Sequence, residues 1–95
     1  GMQDKFFVDL ARLEEYTASL KKQLDRMQEA EAYLQKRTRA LSGMLEDQVT
    51  VRLEEELGYM RQSVDRLGGE IARQVSDTKK MAELYRMYLQ RGDIL

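Results

Sequence analysis

The side chains best equipped for chemistry in this 95-residue chain are three consecutive carboxylates, Glu54-Glu55-Glu56, and a line of cations at one heptad position, Arg52, Arg66, Arg73 and Lys80. Carboxylates are what a hard cation takes as ligands. Consecutive residues of a helix point about 100° apart, however, so three in a row cannot converge on one ion. The cations suggest a phosphate-binding strip, but Asp65, Glu70, Asp77 and Glu83 interrupt it laterally, the pattern of a solvated, salt-bridged face. There is no histidine and no cysteine. The usual general base, the nucleophilic thiol and the soft metal ligands are therefore missing. No catalytic, cofactor-binding or metal site is assigned, and no enzyme activity is expected. Only Tyr85 and Tyr88 among the five tyrosines fall on the apolar seam described below, where aromatic residues are more often core than a ligand box.

With little chemistry to position, the elements themselves become the subject. Proline and tryptophan are absent too, and Ala, Leu, Met, Glu, Lys, Arg and Gln dominate, a composition that favours helix alone. The length suits one domain over residues 1–95, and the leading Gly1-Met2 reads as a scar of tag removal. Sixteen basic against seventeen acidic residues, mixed throughout, give no electrostatic reason to expect nucleic acid as a ligand. No stretch approaches the eighteen apolar residues of a membrane span, so no membrane insertion is expected, and the first residues lack the basic-then-apolar order of a secretory signal peptide. The expected location is the cytoplasm.

Two heptad runs organise the chain. In the first half Phe6, Leu13, Leu20, Met27, Leu34 and Leu41 recur every seven residues, with Leu10, Thr17, Leu24, Glu31 and Thr38 at the companion position. Glu15, Lys22, Glu29 and Lys36 form the solvated back. Val8-Asp9 reads as an extended lead and N-cap, with Asp4 as the rival cap. In the second half Leu53, Leu57, Met60, Val64, Leu67 and Ile71 alternate at four and three, and Thr78, Met81, Tyr85 and Tyr88 continue past Gln74. Val75, Ala82, Leu84 and Leu89 broaden that seam to the width of a bundle helix. The polar seam residues Thr17, Glu31, Thr38, Gln74 and Thr78 either specify register or simply tolerate nearby solvent.

Ser42-Gly43 is the turn signal between the runs, with glycine suited to the left-handed conformation that ends a helix. The fold class expected is all-α: a two-helix antiparallel hairpin, with helix 1 over 9–40, a turn over 41–44 and helix 2 over 45–91. Gly58 and Gly68-Gly69 leave a three-helix alternative open, but the unchanged phase from Leu67 to Ile71 favours one continuous helix 2. At 1.5 Å per residue the helices span about 48 Å and about 70 Å, so the second overhangs the first. Folding about residue 43 places Phe6 near Lys80. Met81, Tyr85, Tyr88 and Leu89 then form an uncovered tail, a candidate partner-binding segment, unless Phe6 and Phe7 extend helix 1. Within the hairpin Leu13, Leu20, Met27 and Leu34 are expected to meet Leu57, Val64 and Ile71, with Leu53, Met60 and Leu67 completing the packing interface. The broadened faces are expected to recruit a second hairpin, either another copy or a similar chain, into a four-helix bundle.

Phe7-Val8-Asp9 leading into a long helix, Leu41-Ser42-Gly43 at the midpoint and a second long helix beyond it resemble the WXG-motif, early-secreted-antigen-like family of small type VII secretion proteins. The resemblance covers most of the chain. It implies a Trp-x-Gly turn, with Leu41 standing where the tryptophan stands and Gly43 as the matching glycine. It also implies an antiparallel pair of hairpins, as homodimer or heterodimer, and export without a cleaved signal peptide, as a secretion substrate or partner subunit. The family's tyrosine-acid secretion signal, counted from Tyr88, would put its acid at Gly92; Asp93 stands one place further on. Without the resemblance, the same faces suit a cytoplasmic coiled-coil adaptor, chaperone or structural subunit.

Overall fold

The computed structural model describes residues 1–91 and consists of two long helices, α1 (Met2–Leu41) and α2 (Asp47–Arg91), with no strand among the described residues. The chain divides into two compact units, one joining Gly1–Lys21 to the chain from Glu70 onward, the other Lys22–Gly69. In each unit α1 and α2 pack antiparallel.

Helix α1 starts at Met2, seven residues before the expected position, and Val8-Asp9 lies inside it. The Lys5 N–H donates to the Gly1 carbonyl at 3.2 Å, and the Gly1 ammonium stands 3.2 Å from the Asp4 carboxylate in the first turn. The physical reason is continuity of the apolar stripe. Phe6, Phe7, Leu10 and Leu13 keep helical spacing, no proline interrupts them, and Val or Asp in a helix costs only tenths of a kcal/mol, about 0.7 at most. A good cap residue does not start a helix when burial rewards extending it.

The turn occupies residues 42–46 instead of 41–44. The Leu41 carbonyl accepts from the Met44 and Leu45 N–H groups at 2.8 and 3.1 Å, and the Ser42 hydroxyl donates to the Arg39 carbonyl at 2.7 Å. These bonds satisfy carbonyls that α1 would otherwise leave open. Gly43 is accordingly not in the left-handed region, and a Cβ there would meet nothing within 4 Å. The Glu46 carbonyl accepts from Val49 and Thr50 N–H, which makes it the cap position of α2 and moves that helix's start to Asp47, whose charge suits a helix N-terminus.

Helix α2 passes through Gly58, Gly68 and Gly69 unbroken. Gly68 is half-buried, and a Cβ on it would stand in ordinary van der Waals contact, 3.4 Å, with Leu24 Cδ2; at Gly58 and Gly69 the space is open. Alanine at Gly58 or Gly69 is therefore expected to raise unfolding free energy by about 0.5–1 kcal/mol each, and alanine at Gly43 to be neutral or mildly stabilising. Urea midpoints of the three variants check this, and a loss at Gly43 would restore a conformational role for that glycine.

Candidate functional site

In the unit built from the chain ends, the contact surface holds Leu10 and Thr17 from α1 against Ile71, Thr78 and Ala82 from α2, all buried. Phe6, Phe7 and Tyr85 close it with aromatic contacts, at centroid separations of 4.1 Å for Phe6–Tyr85, 5.4 Å for Phe7–Tyr85 and 6.0 Å for Phe6–Phe7. The Arg86 guanidinium lies 5.9 Å from the Phe7 ring centre. Phe6 thus meets Tyr85 and not Lys80. Facing residues in this unit, Phe6 with Tyr85 and Thr17 with Gln74, have numbers that add to 91, against the 86 that folding about residue 43 would give.

The extension of α1 covers half of the expected tail. Tyr85 and Leu89 are half-buried, whereas Met81 and Tyr88 remain 48% and 50% exposed. Helical pitch explains the split. A heptad row drifts about 20° per repeat on a straight helix, so Val75, Ala82 and Leu89 turn inward along α2 as Met81 and Tyr88 turn out. Gly92 and Asp93, which enter the comparison with a secretion signal, lie outside the described residues.

A polar layer sits in the middle of this unit. Thr17 and Thr78 are each only 4% exposed. The Thr17 hydroxyl donates to the Leu13 carbonyl at 2.8 Å and accepts from Gln74 Nε2 at 3.3 Å, while Thr78 donates to the Gln74 carbonyl at 2.8 Å. Sliding one helix along the other would separate Gln74 from its acceptor, and a role of this bond in setting the alignment is testable by a double-mutant cycle.

In the unit Lys22–Gly69 the seam runs along Leu24, Glu31 and Thr38 on α1 and Thr50, Leu57 and Val64 on α2, and Val64 alone is buried among its described residues. The row expected to face α2 is turned away: Met27 is 45% exposed, Leu34 43% and Leu41 40%, and on α2 Leu53 is 38% and Met60 42% exposed. Leu13 and Leu20, the members of that row in the other unit, are half-buried, as is Leu67. Leu57, Val64 and Ile71 face inward as expected, but their partners are the companion residues of α1. Two helices offer each other one stripe, and on α1 the companion row fills it.

The charged residues singled out for chemistry stay dispersed. Glu54, Glu55 and Glu56 are all exposed, and no group of three acidic side chains among the described residues is placed to hold a metal ion. Arg52, Arg66, Arg73 and Lys80 are exposed along α2. No described helix is long and apolar enough to cross a membrane. What the geometry offers is a set of large apolar side chains in Lys22–Gly69 that the contact between α1 and α2 leaves partly exposed. Compared with known proteins, the chain matches no family model, no curated protein and no solved structure.

Thr17→Val removes the acceptor of a half-buried amide, and is expected to cost about 1–2 kcal/mol. Adding Gln74→Leu removes the stranded donor as well and is expected to recover most of that loss. A double-mutant cycle by urea denaturation decides; additive losses would show that the Thr17–Gln74 bond does not set the alignment.

Proposed function

We propose that this protein is a non-enzymatic helix-packing module that works by docking an exposed apolar row onto the helices of another chain. The observation that carries this is the row Met27, Leu34, Leu41, Leu53 and Met60, five large apolar side chains each left between 38% and 45% exposed in one unit. Scattered exposed apolar residues are ordinary, but a contiguous row of them marks an interaction surface. The lack of histidine and cysteine and the dispersal of the acidic residues agree with a role in binding.

The layout of two long helices around a loop at residues 42–46 also supports a second reading, a type VII secretion substrate or partner subunit, through the resemblance to the WXG-motif family. Against giving it first place, Leu41 stands where the family has its tryptophan and Gly43 has no left-handed backbone. Export in a host with an active type VII system is the test of that reading.

Light scattering on the purified chain is expected to give a dimer at micromolar concentration. Leu34→Glu or Met60→Glu is expected to abolish assembly while helix content by circular dichroism is kept, whereas Lys22→Glu, on the solvated back, changes neither. A wild-type chain that stays monomeric throughout the micromolar range would refute the proposal.

A further inference from the structure

The exposed row in Lys22–Gly69 has a geometry that names its occupant. A residue three places beyond a seam position lies about 60° round the helix from it. Because α1 and α2 run in opposite directions, that rotation carries both rows to one side of the pair. Met27, Leu34 and Leu41 from α1 and Leu53, Met60 and Leu67 from α2 therefore make a single face. The opposite side is a polar groove lined by Gln35, Arg39, Glu54, Gly58 and Arg61, as the same geometry requires.

The edges of the apolar face lie six places beyond the seam. Along α1 they are Gln23, Ala30 and Arg37, and along α2 Glu56 and Ser63. One cation and one anion are the only charges there, on different helices. Leu24 lies against Gly68 in this unit, so residues at one level have numbers adding to about 92. Arg37 and Glu56 then stand at nearly the same height, about one residue or ~1.5 Å apart along the axis.

Resting on the reading above, we infer that the occupant is a second copy of this chain, related by a two-fold axis parallel to the helices, so that α1 lies over the partner's α2. In this arrangement Arg37 faces the partner's Glu56 and Glu56 faces the partner's Arg37. Met27 and Leu34 fall at heights between successive members of the partner's row Leu53, Met60 and Leu67, the stagger that interdigitation needs. With the axis perpendicular to the helices, α1 meets α1 and α2 meets α2. Arg37 then finds no carboxylate at an edge position, and Glu56 no cation. Area favours a self-pairing of this kind. The six side chains leave on the order of 400 Å² of apolar surface open, within the range of the largest patches monomers keep. Two copies bury about 800 Å² of it, and the stems of Arg37 and Glu56 with Ala30 and Ser63 bring the total to the roughly 1,000 Å² of a specific interface.

The test is charge reversal with mixing, followed by sedimentation equilibrium. Arg37→Glu alone and Glu56→Arg alone each put like charges opposite one another twice per dimer, and each is expected to weaken dimerisation about tenfold. An equimolar mixture of the two variants restores opposite charges at both places, and is expected to form a heterodimer as tight as the wild type. Both residues are exposed, and circular dichroism of each variant confirms that the helices persist. A wild-type dimer that Leu34→Glu disrupts, but whose reversed variants bind no more tightly mixed than alone, overturns this pairing and leaves the helix-packing function standing. A monomeric wild type overturns both.

Discussion

A helix touching a single neighbour can keep dry only the side chains that face it, roughly a third of its circumference, and a pair of helices has no third surface on which to hide the rest. Every feature of this chain responds to that limit. Near its ends the limit is met only at the line of contact, where small and polar residues sit, aromatic rings overlap and Leu10, Thr17, Ile71, Thr78 and Ala82 are buried, while Val8, Met81, Leu84, Met87 and Tyr88 stay exposed. Between Lys22 and Gly69 it is exceeded, because the sequence carries apolar residues on two adjacent rows of each helix while the contact hides one. Such a surplus destabilises an isolated molecule and stabilises an assembled one.

Much of the architecture was legible in the residues. The absence of proline, the seven-residue recurrences and the unchanged phase across Gly68-Gly69 are enough for two long helices, since a turn at those glycines would have reset the phase. The inward face of α2 at Leu57, Val64 and Ile71 follows from the same recurrences. What the pattern could not supply was the rotation of α1. Phe6, Leu13, Leu20, Met27, Leu34 and Leu41 are the more apolar row, and hydrophobicity alone places them at the contact. The companion row takes that place instead, with Leu10 and Thr17 buried and Leu24 lying against Gly68.

Two local misreadings have different roots. Asp9 is a good cap by type, but type reports only what a residue tolerates. The start of α1 was decided by Phe6 and Phe7 finding Tyr85, a contact eighty residues away in the chain that no local signal announces. Gly43 is a good left-handed residue by type, yet the backbone closes α1 with ordinary right-handed bonds to the Leu41 carbonyl. The pairing proposed for Arg37 and Glu56 has no signal in the sequence for a third reason: a charge at the edge of an apolar face acquires meaning only once the side of the helix pair it borders is known.

The bond between Gln74 and Thr17 joins an amide to a hydroxyl, neither of which carries a charge. Dissolved ions do not screen such a bond as they screen an ion pair, and neither group titrates in the range where proteins stay folded. Within the unit of the chain ends this contact between α1 and α2 therefore depends little on ionic strength or acidity.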